Sequence, residues 1–445
     1  MIRLPYGSNT VDFSVEDVDV TGEATVEILD LDDETAAPAD ASEILRYALE
    51  HPLKTKRLRE IVACAFEFET PESDEAGAQA KKKDIVIVVD DHTRNTPTEE
   101  MIDALVEEIE IDTERVIVLV ACGTHAAPGE HELKRILGKH YGRFRVCIHD
   151  CDDERSLVYL GETSRGTPVF VNSTYMNAAV RVLTGDITLH YYAGFGGGRK
   201  SILPGISGRE TIKRNHALLT DENARTGIIK GNPVHEDMCE VAAMAPPDFV
   251  LNIVSDSAGR IVAAFAGDMD EVFRRGVSVA SEIFIRRVPQ YDMLIVSAGG
   301  FPKDRNLYQA SKAIEHCQSA VVSGGTLVLV AECRDGIGDA IFEEWMNSYD
   351  YEDAEKAVKT NFVLGGHKAY YLRKTMRRIR ICIVSSLNSE TLHKWGIQSY
   401  ENINDAIKEE ISMIQKKVQK RVQKKEKDGV KIGVVRNGMD SLLVV

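Results

Sequence analysis

The feature that most narrows what this chain can fold into is a series of short, unbroken β-branched runs, each followed by a helical pattern. The runs are Asp84–Val89 (DIVIVV), Val116–Ala121 (VIVLVA), Arg145–Ile148, Val169–Val171, Val180–Leu183, Val250–Val254, Met293–Ser297 (MLIVS), Thr326–Val330 (TLVLV), Ile379–Val384 and Lys431–Val435. A strand that is apolar on both faces must be covered on both faces, which means parallel sheet with helices above and below. Helical patterns fall over Pro97–Glu110, Glu130–Leu137, Gly208–Leu219, Glu271–Arg287, Leu307–Val322 and Asn404–Lys424. This alternation reads as an α/β fold: two α/β domains with mainly parallel sheets and an active-site cleft between the domains.

With 445 residues the chain exceeds one ordinary core. A boundary is expected near Arg286–Asp292, where a long helical pattern ends and a new strand series begins. That gives a domain at 1–288, a second at 289–430, and a terminal strand at 431–445 that could return to either. The polar stretch Thr70–Lys83 reads as a surface loop, and the lysine-rich segment at 404–427 as a solvated helix face.

The net charge is −16, from 54 basic and 70 acidic residues. A chain so acidic is not expected to take nucleic acid or an anionic membrane as its main partner, and an anionic substrate would need a local basic pocket. No apolar run reaches membrane-spanning length, and MIRLPYGSNT has no signal core. Eight scattered cysteines without a C-x-x-C pair suggest reduced thiols and a cytoplasmic protein. Cys147, His149 and Cys151 could be ligands on one strand face, but reduced residues near a strand end are the plainer reading.

In open parallel sheets ligands bind beyond the carboxyl ends of the strands. Three polar clusters occupy that position: Asp90-Asp91-His92-Thr93-Arg94, Gly123-Thr124-His125, and the stretch after Leu183 carrying His190 and Lys200. Each residue has an ordinary explanation. Asp91 could cap a turn and pair with Arg94; His125 and His190 could be loop histidines; Arg94 and Lys200 could be solvated. Recurrence of the same strand-end geometry three times favours one shared crevice. Two strand-end histidines suit acid–base work near neutral pH. A third histidine, such as His216, could hold a metal. In the second domain, GGFPKDRNLYQASKA presents Tyr308, Gln309 and Lys312 at a strand end, with Gln309 and Lys312 on one helical face.

Residues 190–205, HYYAGFGGGRKSILPG, carry four glycines within five positions before Arg199-Lys200-Ser201. The stretch nearly fits a P-loop, but Arg199 stands where the second glycine belongs. Lys200 therefore needs another task, and a buried lysine with a lowered pKa can be a covalent anchor. A phosphate-binding transferase built on this loop, or a non-catalytic binding protein, are the competing readings.

Taken together, DDHTRNTP, GTHAAPGE, HYYAGFGGGRKSILPG, Asn215-His216, GNPVHEDM, NLYQASKA, GGHKA and the opening LPYG resemble the nickel-pincer lactate racemase family, in the same order and over nearly the whole chain. The resemblance implies a racemase or epimerase that inverts C2 of a 2-hydroxy acid, lactate or a related one. It implies a nickel-pincer nucleotide, a pyridinium-3,5-bisthiocarboxylic acid mononucleotide, joined covalently to Lys200. It makes His216 the nickel ligand, and His125 and His190 the acid–base pair of a proton-coupled hydride transfer through a planar 2-keto acid. Asp91 and the loop residues Gly196, Gly197, Gly198 and Arg199 would bind cofactor, the glycines letting its phosphate approach. Arg94, Tyr308, Gln309 and Lys312 would bind substrate. Cofactor-synthesis proteins would be transient partners. An aromatic wall is expected at Tyr370-Tyr371-Leu372 or Trp345.

Overall fold

The computed structural model describes residues 1–14, 24–29, 40–67, 84–109, 113–422 and 429–445. The Thr70–Lys83 loop, Glu110 and the end of the lysine-rich segment lie outside the described residues. The chain forms two compact units, one of Thr35–Ile283 and one of Met1–Glu34 with Phe284–Val445.

The first unit is built on a six-stranded sheet. Its order is Ile261–Gly267, Phe249–Ser255, Val180–Asp186, Ile85–Asp90, Val116–Ala121, Arg145–Ile148. All neighbours are parallel except the edge strand Ile261–Gly267, which runs antiparallel to Phe249–Ser255. Residues Ile85–Val89 are at most 1% exposed, so both faces of this strand are covered, as its unbroken apolar run demands. Ile85, Ile87 and Val89 pack with Leu45, Val62, Met101 and Leu105 from helices on one face. Each such side chain contributes about 1.5–3 kcal/mol of burial.

The order of the strands fixes where a ligand can sit. From Ile85–Asp90 the chain moves outward on one side to Val116–Ala121 and Arg145–Ile148, then returns to the other side as Val180–Asp186. The reversal opens a crevice at the carboxyl ends of Ile85–Asp90 and Val180–Asp186.

The second unit holds an all-parallel sheet in the order Gln398–Tyr400, Arg380–Val384, Val321–Val330, Tyr291–Ser297, Val430–Val435, Ala24–Ile28. Two sequence expectations need correction here. Residues 1–34 do not belong with the first domain: Ala24–Ile28 is an edge strand of the second sheet, and Ile2, Leu4 and Phe13 of the hairpin Ile2–Tyr6/Asn9–Phe13 enter its core. Their partners lie near the far end of the chain, so local pattern could not place them. The helical patterns at Glu271–Arg287 and Leu307–Val322 also overran. The helices are Met269–Phe284 and Leu307–Cys317; Ile285–Arg287 pairs with Leu442–Val444, and Val321 begins a strand. The terminal strand Val430–Val435 lies in the second sheet.

Candidate active site

Three loops meet at the carboxyl ends of the central strands of the first unit. After Ile85–Asp90, the chain turns at Asp91, with the Arg94 N–H donating to the Asp91 carbonyl at 3.2 Å. After Val116–Ala121, the His125 N–H closes a turn on the Cys122 carbonyl at 2.8 Å. The Gly123 N–H reaches the Gly205 carbonyl at 2.9 Å, which ties this loop to the segment following Lys200.

Asp91 and His125 form a dyad. The His125 Nδ1–H donates to Asp91 Oδ2 at 2.6 Å, and the other carboxylate oxygen accepts from the Thr93 hydroxyl at 2.6 Å and the Thr93 N–H at 3.0 Å. The Asp91 carboxylate is 2% exposed while the His125 ring is 28% exposed. Burial by itself would raise the Asp91 pKa, but the hydrogen bonds from His125 and Thr93 outweigh it and hold the carboxyl below its usual range. An imidazole so held carries its lone pair at Nε2. The Arg94 guanidinium donates to Thr93 Oγ1 at 3.2 Å, which fixes a cation beside the dyad.

His190 is set the other way. The Ala193 N–H donates to its Nδ1 at 3.2 Å, so Nδ1 holds the lone pair and Nε2 the proton. Nε2 lies 3.3 Å from Lys200 Nζ. A protonated Nε2 facing an amine requires that the amine accept, so Lys200 is neutral. The environment agrees: burial first, then Arg94 and Arg199, push Lys200 well below its ordinary value, against a smaller opposing effect of Asp90. Burial, then Lys200, Arg94 and His216, likewise keep His190 neutral. His190 and His216 both meet the ring of Tyr192 edge-on, at centroid separations of 4.5 and 5.0 Å. His190, Lys200 and His216 are thus brought together, with the charge of Arg94 acting on the first two.

His216 lies on the helix Arg209–Ala217 and is 4% exposed. Its Nδ1 pairs with Asn215 Oδ1 at 3.1 Å. Asn215 Nδ2 is the donor to Val234 O and Asp237 Oδ2, so Oδ1 accepts and His216 carries its lone pair at Nε2.

The glycine-rich loop is held tightly by its own contacts. Gly194 has φ +78°, and a Cβ there would sit 2.3 Å from the Ile228 carbonyl oxygen; at Gly197, with φ +73°, it would sit 2.6 Å from the Ile187 side chain. The Gly196 N–H is spent on the Thr188 carbonyl at 2.7 Å and the Gly198 N–H on Asn252 Oδ1 at 2.7 Å. Arg199 is 2% exposed and stacks on Phe273 at 4.0 Å. It donates to the carbonyls of Ala193, Phe195 and Gly197 at 3.2, 3.3 and 3.5 Å. The Gly196 and Gly198 N–H groups and the Arg199 guanidinium thus brace the loop itself. Lys200 sits in a four-residue 3₁₀ turn, Gly198–Ser201, not at the head of the long helix a P-loop feeds.

Several residues of this site were not assigned from sequence. Asp90 accepts from the Thr96 hydroxyl at 2.6 Å, and burial raises its pKa. Asp186, at the end of the neighbouring strand, is pushed up to about 7 by burial, with Asp90 adding to the effect. Their strand-end positions were the available signal. Cys147 and Cys151 carry free thiols, and both His149 ring nitrogens are engaged: Nε2–H donates to Ser207 O at 2.9 Å and Nδ1 accepts from Asn172 Nδ2 at 3.3 Å.

In the second unit, Tyr308, Gln309 and Lys312 occupy the first turns of Leu307–Cys317, capped by Asn306 Oδ1, which accepts from the Gln309 N–H at 2.9 Å. Lys368, from GGHKA, donates to the Tyr308 carbonyl and lies 3.9 Å over its ring. Burial followed by the charge of Lys312 lowers the Lys368 pKa well below the ordinary value. Tyr370, Tyr371 and Leu372 are buried on the helix Gly366–Met376, and Trp345 packs closely against Gly366. No helix among the described residues is long and apolar enough to cross a membrane.

Comparison with known proteins identifies the family of the chain. The family model described as lactate racemase N-terminal domain matches residues 69–227, and that described as lactate racemase C-terminal domain matches residues 287–440. A lactate racemase of Thermoanaerobacterium thermosaccharolyticum is 32% identical over 367 residues, covering 80% of each chain. One from Lactiplantibacillus plantarum is 29% identical over 360 residues, again 80% of each. Among solved structures, the lactate racemase apoprotein from Thermoanaerobacterium thermosaccharolyticum superposes with a TM-score of 0.83 at 28% identity over 100% of both chains. A Thermotoga maritima protein shares the fold, with a TM-score of 0.58 at 16% identity over 88% of this chain and 98% of its own. On these grounds, with the two domain matches in order along one chain, the protein belongs to the lactate racemase family and is an isomerase.

Proposed function

We propose that the chain inverts C2 of a 2-hydroxy acid, lactate or a close relative, using a nickel-pincer nucleotide joined to Lys200. The observation that carries this reading is the contact of His190 Nε2 with Lys200 Nζ at 3.3 Å, whose donor pattern makes Lys200 a neutral amine beside an imidazole. A neutral amine is the nucleophilic form that a covalent attachment needs.

The donor set fits such a group. His216 carries its lone pair at Nε2. Among the described residues, the one group of three metal-capable side chains is Asp150, Cys151 and Asp152, on the loop after the edge strand Arg145–Ile148. A lone histidine suits a metal whose other donors belong to a cofactor. When bound, the nucleotide would supply the acceptor for the C2 hydride and its return.

The chain's own residues supply the proton chemistry. His125, with Nδ1–H on Asp91, takes the substrate hydroxyl proton at Nε2, and Asp91 stabilises the imidazolium that forms. His190, neutral with its proton on Nε2, is proposed as the second acid–base group, which acts as a donor only once protonated to the imidazolium. Two acid–base histidines are what a reaction needs that removes a proton on one side and returns one on the other. Arg94 offers a cation for the substrate carboxylate or developing oxyanion. We assign Tyr308, Gln309 and Lys312 to substrate binding as well.

The test is co-expression with a nickel-pincer synthesis pathway, followed by intact mass, metal content and loss of optical purity of 2-hydroxy acids. A mass increment with near-stoichiometric nickel, absent in Lys200→Ala, and racemisation of D- or L-lactate or another 2-hydroxy acid are expected. An unmodified mass without nickel, in a host that loads a known relative, would refute the reading.

A further inference from the structure

The motif GNPVHEDM takes no part in the chemistry above, yet its helix is wired into the site. The helix Pro233–Met244 starts at Asn232, fully buried, whose Oδ1 accepts from the Val234 and His235 N–H groups at 3.1 and 3.3 Å. Asn232 Nδ2 donates to the Tyr192 carbonyl at 2.9 Å, within the loop that links His190 to Lys200. One turn on, Asp237 is also fully buried. Three side-chain donors converge on its two oxygens: the Thr163 hydroxyl at 2.5 Å, the Thr167 hydroxyl at 3.0 Å and Asn215 Nδ2 at 2.9 Å. Asp237 therefore serves only as an acceptor.

This has a consequence for His216. An amide side chain can present either its oxygen or its nitrogen to a neighbour. With Asp237 Oδ2 and the Val234 carbonyl, at 3.1 Å, both requiring donors, Asn215 must aim Nδ2 at them and Oδ1 at His216. The oxygen then selects the Nδ1–H form of the imidazole, at 3.1 Å, and directs the lone pair to Nε2. Asn215 and Asp237 are each 0% exposed and His216 4%, so water does not compete for these contacts. A metal-binding histidine is held in its tautomer by the hydrogen bond at its other nitrogen, and loss of that partner typically costs about 10- to 100-fold in metal affinity.

We infer that Asp237, together with the Val234 carbonyl and acting through Asn215, is the positioning residue that sets the His216 tautomer for metal binding at Nε2. The inference rests on the nickel role proposed for His216, but its first test does not need a loaded enzyme. In ¹⁵N-histidine-labelled apoprotein, two-bond ¹H–¹⁵N correlations distinguish the tautomers, with His216 assigned from a His216→Gln spectrum. The wild type is expected in the Nδ1–H form. Asp237→Asn can turn either amide atom toward Asn215, and Asn215→Ala removes the acceptor; both are expected to populate the Nε2–H form. A wild-type His216 in the Nε2–H form overturns the inference with no variant required, and so does an unchanged Nδ1–H signature in Asp237→Asn. In protein loaded by co-expression, Asp237→Asn should release nickel at least about tenfold faster on dialysis; equal release rates count against the inference. A chain that never takes up nickel counts against the functional reading alone, because the tautomer is read without metal.

Discussion

The Asp91 carboxylate accepts from His125 Nδ1 at 2.6 Å while accepting from the hydroxyl and N–H of Thr93 on its other oxygen. Two loops that follow different strands are thereby locked to each other, and one imidazole is left with its basic nitrogen outward. Asp91→Asn should reverse or scramble the His125 tautomer with little change in fold. Racemisation kcat should fall by about 10³–10⁴, with KM changed far less. Steady-state kinetics of the loaded variant check this; a loss under tenfold would remove His125 from the role of base.

The neutral state of Lys200 is testable through stability. Its folded pKa lies well below the unfolded value, so between the two the unfolded chain binds more protons, and stability rises with pH across that window. Lys200→Met lacks this dependence. In cofactor-free protein it should melt higher than the wild type at pH 7, by about 2 °C or more, with the gap narrowing as pH approaches the ordinary lysine value of ~10.4. Differential scanning calorimetry at several pH values reads both quantities. A gap that widens with pH would mean that Lys200 is charged in the fold.

Asp186 carries the opposite linkage sign. Its folded pKa, pushed up to about 7, exceeds the unfolded value of ~3.9, so the native state binds more protons between them and this group's contribution falls as pH rises through that window. Asp186→Asn keeps an acceptor for the Ser255 N–H, at 3.2 Å in the parent. The variant should be no more stable than wild type near pH 4 and clearly more stable at pH 8. Urea midpoints at the two pH values decide it, and equal differences at both would show that Asp186 titrates normally.

Arg199 supports the loop with three carbonyl contacts and a stacking face on Phe273. Arg199→Met leaves buried carbonyls unpaired and should cost about 3 kcal/mol, visible as a lower urea midpoint at unchanged m. Arg199→Lys should recover little, because a point charge cannot reproduce the fork. Phosphate or nucleotide binding lost with stability intact would instead assign Arg199 to a ligand.

Much of the architecture was legible because strands such as Ile85–Asp90 and Val116–Ala121 are apolar on both faces, a pattern that only a covered parallel sheet accommodates. The half-exposed elements were harder. The edge strand Ile261–Gly267 and Leu157–Glu162 carry mixed patterns whose meaning depends on a partner, and the run Val169–Val171 pairs antiparallel with Leu157–Glu162 outside the two main sheets. His125, His190 and Lys200 stood out as candidates by strand-end position and motif, and His216, on the helix Arg209–Ala217, by motif alone. Asp186, Asn232 and Asp237 were not, since their importance comes from hydrogen bonds to residues far along the chain.

By itself the sequence determined the buried strands of the two sheets, the cores of most helices and which polar residues stand at the ends of those strands, because these follow from local periodicity. Tertiary structure decided the state of each polar group. A histidine's tautomer, a lysine's charge and a glycine's necessity depend on what lies within about 3 Å. That neighbour is Asp91 for His125, Ala193 for His190, Asn215 for His216 and Ile228 for Gly194. It also decided that Ala24–Ile28 forms an edge of the second sheet, since a strand pairs with whichever edge matches it in space, however distant in sequence.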